Sequence, residues 1–174
     1  MARYNIFGTD QRMILQYKGI FNFQKLYSMI AKWYQDRNYE FHETNYKMKP
    51  DTEEMELYWQ GWRDDTDYIR VTVDLYMHVW DLQDIEAIKN GKKLKMAKAR
   101  FRVFFRGRID TDAEGRWGGT PFFEALRDFY DKYIFKKRLD MYINKIENET
   151  HGFVEMFKKE LGMEAKSDVF KDSW

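Results

Sequence analysis

Between residues 68 and 80 apolar and polar side chains alternate without a fault: Ile69, Val71, Val73, Leu75, Met77 and Val79 on one side, Arg70, Thr72, Asp74, Tyr76, His78 and Trp80 on the other. A period of two places these sets on opposite faces of a strand. One face must be buried and the other left to water, which calls for an antiparallel sheet covered on one side. Residues 53–63 repeat the pattern, with Met55, Leu57, Trp59 and Gly61 inward and Glu54, Glu56, Tyr58, Gln60 and Trp62 outward. For Leu57 to oppose Val73 on the core side the pairing sum must be even. The connection around residues 64–67 therefore has to contain three or five residues instead of two.

Asn90-Gly91 is the strongest hairpin signal, because both residues tolerate the positive φ of a type I′ turn; it predicts Ile85 opposite Met96 and Ala87 opposite Leu94. Beyond Met96 the apolar side moves to Ala97, Ala99, Phe101, Val103, Phe105 and Ile109, so the alternation slips by one. A β-bulge near Met96 and Ala97, or a corner around residues 81–84, accounts for the slip. Either bends the sheet, and a bent sheet suits wrapping around a helix. Upstream, residues 12–18 read as a strand. Residues 39–49 read as an edge strand, with Glu43, Asn45 and Lys47 interrupting one face and Pro50 ending it. Between them Asn22 caps a helix to about Arg37, with Phe23, Leu26, Tyr27, Ile30 and Tyr34 on one face.

After the sheet, Thr120 is a good N-cap and Pro121 suits the first helical position. One helix is expected over residues 120–149, spanning about 45 Å at 1.5 Å per residue. Its first half carries Phe122, Leu126, Phe129, Tyr130 and Tyr133 in one stripe, expected to close over the sheet. Its second half carries Phe135, Leu139, Tyr142, Ile143 and Ile146 on nearly the opposite side. One straight helix on one sheet cannot bury both stripes. The second is expected to meet residues 151–161 folding back beyond a break at His151-Gly152, or a second subunit in a homodimer through Phe135, Leu139, Tyr142 and Ile146.

The 174 residues suffice for one core, so a single α+β domain is expected over residues 1–162, with a loose tail at 163–174. Thirty basic and 29 acidic residues leave a formal charge of +1, so bulk charge favours neither nucleic acid nor an anionic membrane. The absence of cysteine removes thiolate chemistry, and with no leader pattern and no apolar run of transmembrane length the expected location is cytoplasmic. No cofactor or metal is expected. His42, His78 and His151 lack metal-ligand spacing, the three serines form no nucleophile elbow, and no phosphate-binding glycine pattern occurs. An enzyme is the less favoured class. Asp110, Asp112, Glu114 and Gly115 imitate the start of a calcium loop, but Pro121 stands where its bidentate Glu belongs. Gly118-Gly119 before a helix N-terminus either accommodates an anion beside Arg116 or simply lets the chain turn.

The sharpest charge feature lies at residues 92–108, with eight basic residues and no acidic one. Lys98, Arg100, Arg102, Arg106 and Arg108 project from one face around Phe104. Such a face could bind phosphates and stack on bases. The alternative is a solvated face with cross-strand ion pairs, since residues 51–67 hold seven acidic residues against one Arg, two strand spacings away.

The order of strand, helix, antiparallel meander and long C-terminal helix over residues 12–146, with Asn90-Gly91 leading a long strand into the Thr120-Pro121 helix, resembles the helix-grip architecture of the START-like or SRPBCC superfamily. The resemblance implies a cavity between curved sheet and helix for a lipid or another apolar small molecule, bound without catalysis. Trp59, Val73, Met77, Phe101 and Phe105 from the sheet and Leu126, Phe129 and Tyr130 from the helix are the residues expected to line it. These residues serve equally well as packed core. The alternative function is an interaction protein that uses the basic face, toward nucleic acid or an acidic partner, or the apolar second half of the long helix.

Overall fold

The computed structural model describes residues 2–7, 12–49, 53–89, 92–117 and 120–163. Its elements are β1 (Ala2–Asn5), β2 (Met13–Phe21), α1 (Phe23–Asp36), β3 (Glu40–Lys49), β4 (Glu54–Asp64), β5 (Ile69–Lys89), β6 (Lys92–Thr111), α2 (Pro121–Phe129), a π-helical turn (Tyr130–Ile134) and α3 (Lys136–Glu160). The six strands form one antiparallel sheet in the order β3-β4-β5-β6, with β1 and β2 both on the far side of β6. β2 runs beside residues 97–105 of β6 and β1 beside 108–111, so the two act as one interrupted edge. The result is the expected α+β class, a curved, open sheet with a C-terminal helix, compatible in shape with a helix grip.

The register follows the parity argument. Asp64 pairs with Arg70, leaving residues 65–69 between them, although Leu57 comes to lie opposite Met77 instead of Val73. Ile85 faces Met96 and Ala87 faces Leu94, as the hairpin requires. Asn90-Gly91 itself, Pro50, Gly118-Gly119 and the tail from residue 164 lie outside the described residues. The slip is absorbed in β5. Trp80 faces Arg100 and Gln83 faces Lys98, so Asp81 and Leu82 together oppose Ala99. Asp81 takes φ +54° there, and the Leu82 N–H turns away to the Glu53 carbonyl at 3.0 Å. A second bulge at Thr44 explains the broken alternation of β3, the edge strand.

α1 begins where Asn22 accepts the Lys25 N–H at 2.9 Å, and buries Leu26, Ile30, Trp33 and Tyr34 on the sheet. α3 lies on the same face. Trp33 of α1 stacks on Phe153 of α3 at 4.0 Å between ring centroids, and Phe153 and Phe157 meet Phe105 of β6 at 5.3 and 5.2 Å. Fully burying side chains of this size contributes roughly 1.5–3 kcal/mol each. That gain explains why the helix continues through His151-Gly152 instead of breaking: an exposed mid-helix glycine costs only about 1 kcal/mol, against the burial of Phe153, Val154 and Phe157 beyond it.

The break comes earlier. The Phe135 N–H bonds back to the Tyr130 carbonyl at 2.8 Å, a π-helical step that redirects the chain between α2 and α3. The two stripes then exchange the roles expected of them. Phe135, Leu139 and Ile146 are buried in the chain's own core and Tyr142 packs against it, so they are not free for a dimer contact. Leu126 and Phe129, expected inside, are exposed, and Tyr130 packs only at the margin, against Trp117, Tyr68 and Phe135. The physical reason is polar. Asp131, on the opposite side of α2 and its π turn, is buried and accepts the hydroxyls of Tyr4 (3.2 Å), Tyr68 (2.6 Å) and Thr111 (2.7 Å). Burial and the Asp131 charge push the Tyr4 hydroxyl up to about 12 and raise that of Tyr68, so both remain hydrogen-bond donors at neutral pH.

Candidate functional site

The five sheet residues expected at an interior cavity are core residues. Trp59, Val73, Met77, Phe101 and Phe105 are all at or below 2% exposure. Trp59 stacks on Phe41 at 5.5 Å, its indole N–H reaches Glu43 at 3.2 Å, and Phe101 is enclosed by Tyr17 and Phe21. The aromatic side chains of α1 and α3 occupy the space between sheet and helices.

Among the described residues no helix covers the other face of the sheet, and there the basic residues of β6 stand beside aromatic ones. Register places Ile14 (β2), Phe104 (β6), Tyr76 (β5) and Tyr58 (β4) in one row across four strands. Neighbouring strands lie about 4.8 Å apart, close enough for these side chains to touch. Phe104 and Tyr76 stack at 5.9 Å, and the Arg12 guanidinium lies 4.7 Å from the Phe104 ring centroid. A groove of about 410 Å³ opens over this row, bounded by Arg12, Arg106 and Asp74. Toward the hairpin the next rows place Gln16 beside Arg102 and His78, then Lys18 beside Arg100 and Trp80. His78 and Trp80 stack at 4.0 Å, and a second groove of about 620 Å³ runs between Trp80, Arg100, Arg102 and Lys18. Aromatic faces thus lie along a line of cations.

The ion-pair reading holds for two of the five β6 cations, with partners on the adjacent strand instead of β4. Arg108 meets the buried Asp74 carboxylate at 3.0 Å, and Arg100 meets Asp81 at 2.7 Å. Asp74 also accepts from Gln60 at 3.1 Å, and burial raises its pKa despite the arginines nearby. Among the described residues, Lys98, Arg102 and Arg106 have no ion pair, nor has Lys18 of the adjoining strand. The acidic residues of β4 are engaged locally, Glu54 lying 3.8 Å from His78. The face therefore keeps uncompensated positive charge on its β2–β6 side.

Other polar groups resolve into local structure. Asp110 pairs with Arg3 at 2.8 Å, and Asp112, at φ +54°, accepts the Trp117 N–H. The calcium-like stretch is thus a turn held by these contacts. His42 lies against Trp62 on the edge side of the sheet and His151 against Phe7 on α3, both apart from His78. Among the described residues no group of His, Asp and Glu could hold a metal, and no helix is long and apolar enough to cross a membrane. Sequence reasoning missed the contribution of Arg12, just before β2, and of Ile14, Gln16 and Lys18 on it. The outward positions of Arg12, Gln16 and Lys18 follow from the period of two, but the seat of all four beside β6 depends on strand order. Compared with protein families, characterised proteins and solved structures, the chain matches none.

Proposed function

We propose that the uncovered face of the sheet binds single-stranded nucleic acid without catalysis. The observation that carries this reading is the stacked Phe104–Tyr76 pair flanked along β6 by Arg102 and Arg106, both exposed and without an ion pair among the described residues. Bases stack on such rings irrespective of sequence while the cations track the phosphates. Sheets that read single strands work in this way, with aromatic side chains on an open face. An interior apolar ligand, which a START-like relationship would imply, is less well supported, because the sheet residues that would line its cavity are buried in the core while Leu126 and Phe129 of the helix face water.

The test is fluorescence anisotropy with labelled RNA and DNA oligonucleotides of about 12 nucleotides, a length within the usual site size of such platforms, across a salt series. Binding should weaken with salt, and Arg102→Ala with Arg106→Ala should reduce the slope of log K against log salt by about 1.4, at roughly 0.7 per phosphate contact. Phe104→Ala should cost about 1–3 kcal/mol, or roughly 5- to 150-fold in affinity. Absence of binding at low salt, or binding indifferent to all three substitutions, would overturn the proposal.

A further inference from the structure

Charge sets the path that phosphates can take over the open face, and that path leads past a second aromatic platform. Lys18, Lys98, Arg102 and Arg106 are exposed and, among the described residues, have no ion pair. All of them lie on β6 or on β2 beside it. On the other side of β5, β4 places Glu54 and Glu56 next to His78. A single strand crossing the sheet toward β4 would bring its phosphates against those carboxylates. One running along β6 keeps them beside the cations.

Followed toward the hairpin, the line of cations leaves the Phe104–Tyr76 pair and reaches Trp80. Its indole stacks on His78 at 4.0 Å, with the Arg100 guanidinium 5.6 Å from the ring centroid. Asp81 holds Arg100 at 2.7 Å, so this guanidinium braces the indole instead of following phosphates. Trp80 walls the groove of about 620 Å³ that Lys18 bounds on β2. Trp80 is four positions from Tyr76, and Arg100 four from Phe104, a distance of about 13 Å along the strands. Nucleotides stacked at about 3.4 Å cover it in about four steps, and a strand drawn out to twice that spacing in about two. On the premise that the open face binds single-stranded nucleic acid, we infer that Trp80 is a second base-stacking platform of the same site. A strand of about 3–5 nucleotides running along β6 engages both platforms.

The test is competition at low salt between the labelled oligonucleotide of about 12 nucleotides and unlabelled ones of about 2–8. Affinity should step up between about 2 and 5 nucleotides, the lengths at which one molecule comes to span both platforms. Trp80→Ala should weaken the longest oligonucleotide roughly 5- to 150-fold, but a dinucleotide, which can occupy the Phe104 platform alone, by less than about twofold. Trp80→Phe keeps a ring and should recover most of the loss; thermal melts of both variants check that the sheet is intact, and the step in the wild type needs no variant at all. A long oligonucleotide that responds to Phe104→Ala but not to Trp80→Ala, or an affinity that rises smoothly with length, would overturn the second platform and leave the Phe104 site standing. So would a loss on Tyr58→Ala in place of Trp80→Ala, which would turn the strand across the sheet toward β4. No binding by the wild type at low salt would overturn the reading of the whole face, and the second platform with it.

Discussion

Gly61 is the position at which a single methyl group should report most directly on how the helices seat on the sheet. It lies on β4 between Phe41 and Val73 of the neighbouring strands. A Cβ built there would run into the ring of Tyr34. Tyr34 is fully buried, stacks on Phe41 at 5.3 Å, and donates its hydroxyl to the Val73 carbonyl at 3.0 Å, so it cannot withdraw without cost. Overpacking of this kind costs about 1–3 kcal/mol. Displacing the ring also forfeits a buried hydrogen bond, at about 1–3 kcal/mol. Relief of the glycine's strand penalty returns about 0.5–1 kcal/mol. Gly61→Ala should therefore destabilise by about 1–5 kcal/mol, lowering the urea midpoint by roughly 0.5–2.5 M at an m-value of about 2 kcal/mol/M. The decisive measurement is a double-mutant cycle with Tyr34→Leu, which vacates the space the methyl group needs. In that background Gly61→Ala should cost under about 1 kcal/mol, leaving a coupling energy well above the additivity limit. Equal cost in both backgrounds, or a near-neutral Gly61→Ala, would show that the glycine does not define the seat of α1.

Asp131→Ala should leave the hydroxyls of Tyr4, Tyr68 and Thr111 without their acceptor; a loss of about 2–3 kcal/mol, with faster amide exchange in α2 than in α1, is expected in thermal melts and hydrogen exchange. Asp65 should contribute a pH-dependent increment. Burial raises its carboxyl, but hydrogen bonds from Arg63 (2.5 Å) and Lys145 (2.9 Å) outweigh this and hold it below its ordinary value. A depressed folded-state pKa means stability present above the unfolded value and lost as pH falls through the folded one. The stability gap between wild type and Asp65→Asn should thus be full at pH 6–7 and close below about pH 4, as read by denaturation at a series of pH values. Glu149→Gln probes the other arm of the cluster, where Arg63 binds Glu149 at 3.0 Å and Tyr39 donates to it at 3.2 Å; it should loosen the contact between α3 and the end of β4 by about 1–2 kcal/mol, visible as reduced amide protection around residues 145–150.

What the residues determine by themselves is local and periodic. The alternation of residues 68–80 dictated which face of β5 is buried, the even pairing sum dictated the parity of the β4–β5 connection, and Asn90-Gly91 dictated the partners of Ile85 and Ala87. Asn22 and Thr120 marked two helix starts, and both side chains accept backbone N–H groups there. The outward set on β6 was legible for the same reason, since a period of two assigns every side chain to a face. Strand order, however, comes from which edges meet. The four residues of β1 are too short for any pattern to declare, and Ile14, Gln16 and Lys18 of β2, with Arg12 just before it, join the candidate site only because β2 lies beside β6. The clearest tertiary decision concerns the last helix. Its two apolar stripes were visible in the sequence, but which one the sheet would cover was not, because both satisfy the same amphipathic rule. Three hydroxyls from distant elements converge on Asp131, hold the polar side of α2 against the body, and leave Phe122, Leu126 and Phe129 facing water. A convergence of that kind has no sequence signature, since its members, Tyr4, Tyr68 and Thr111, become neighbours only when the sheet has formed.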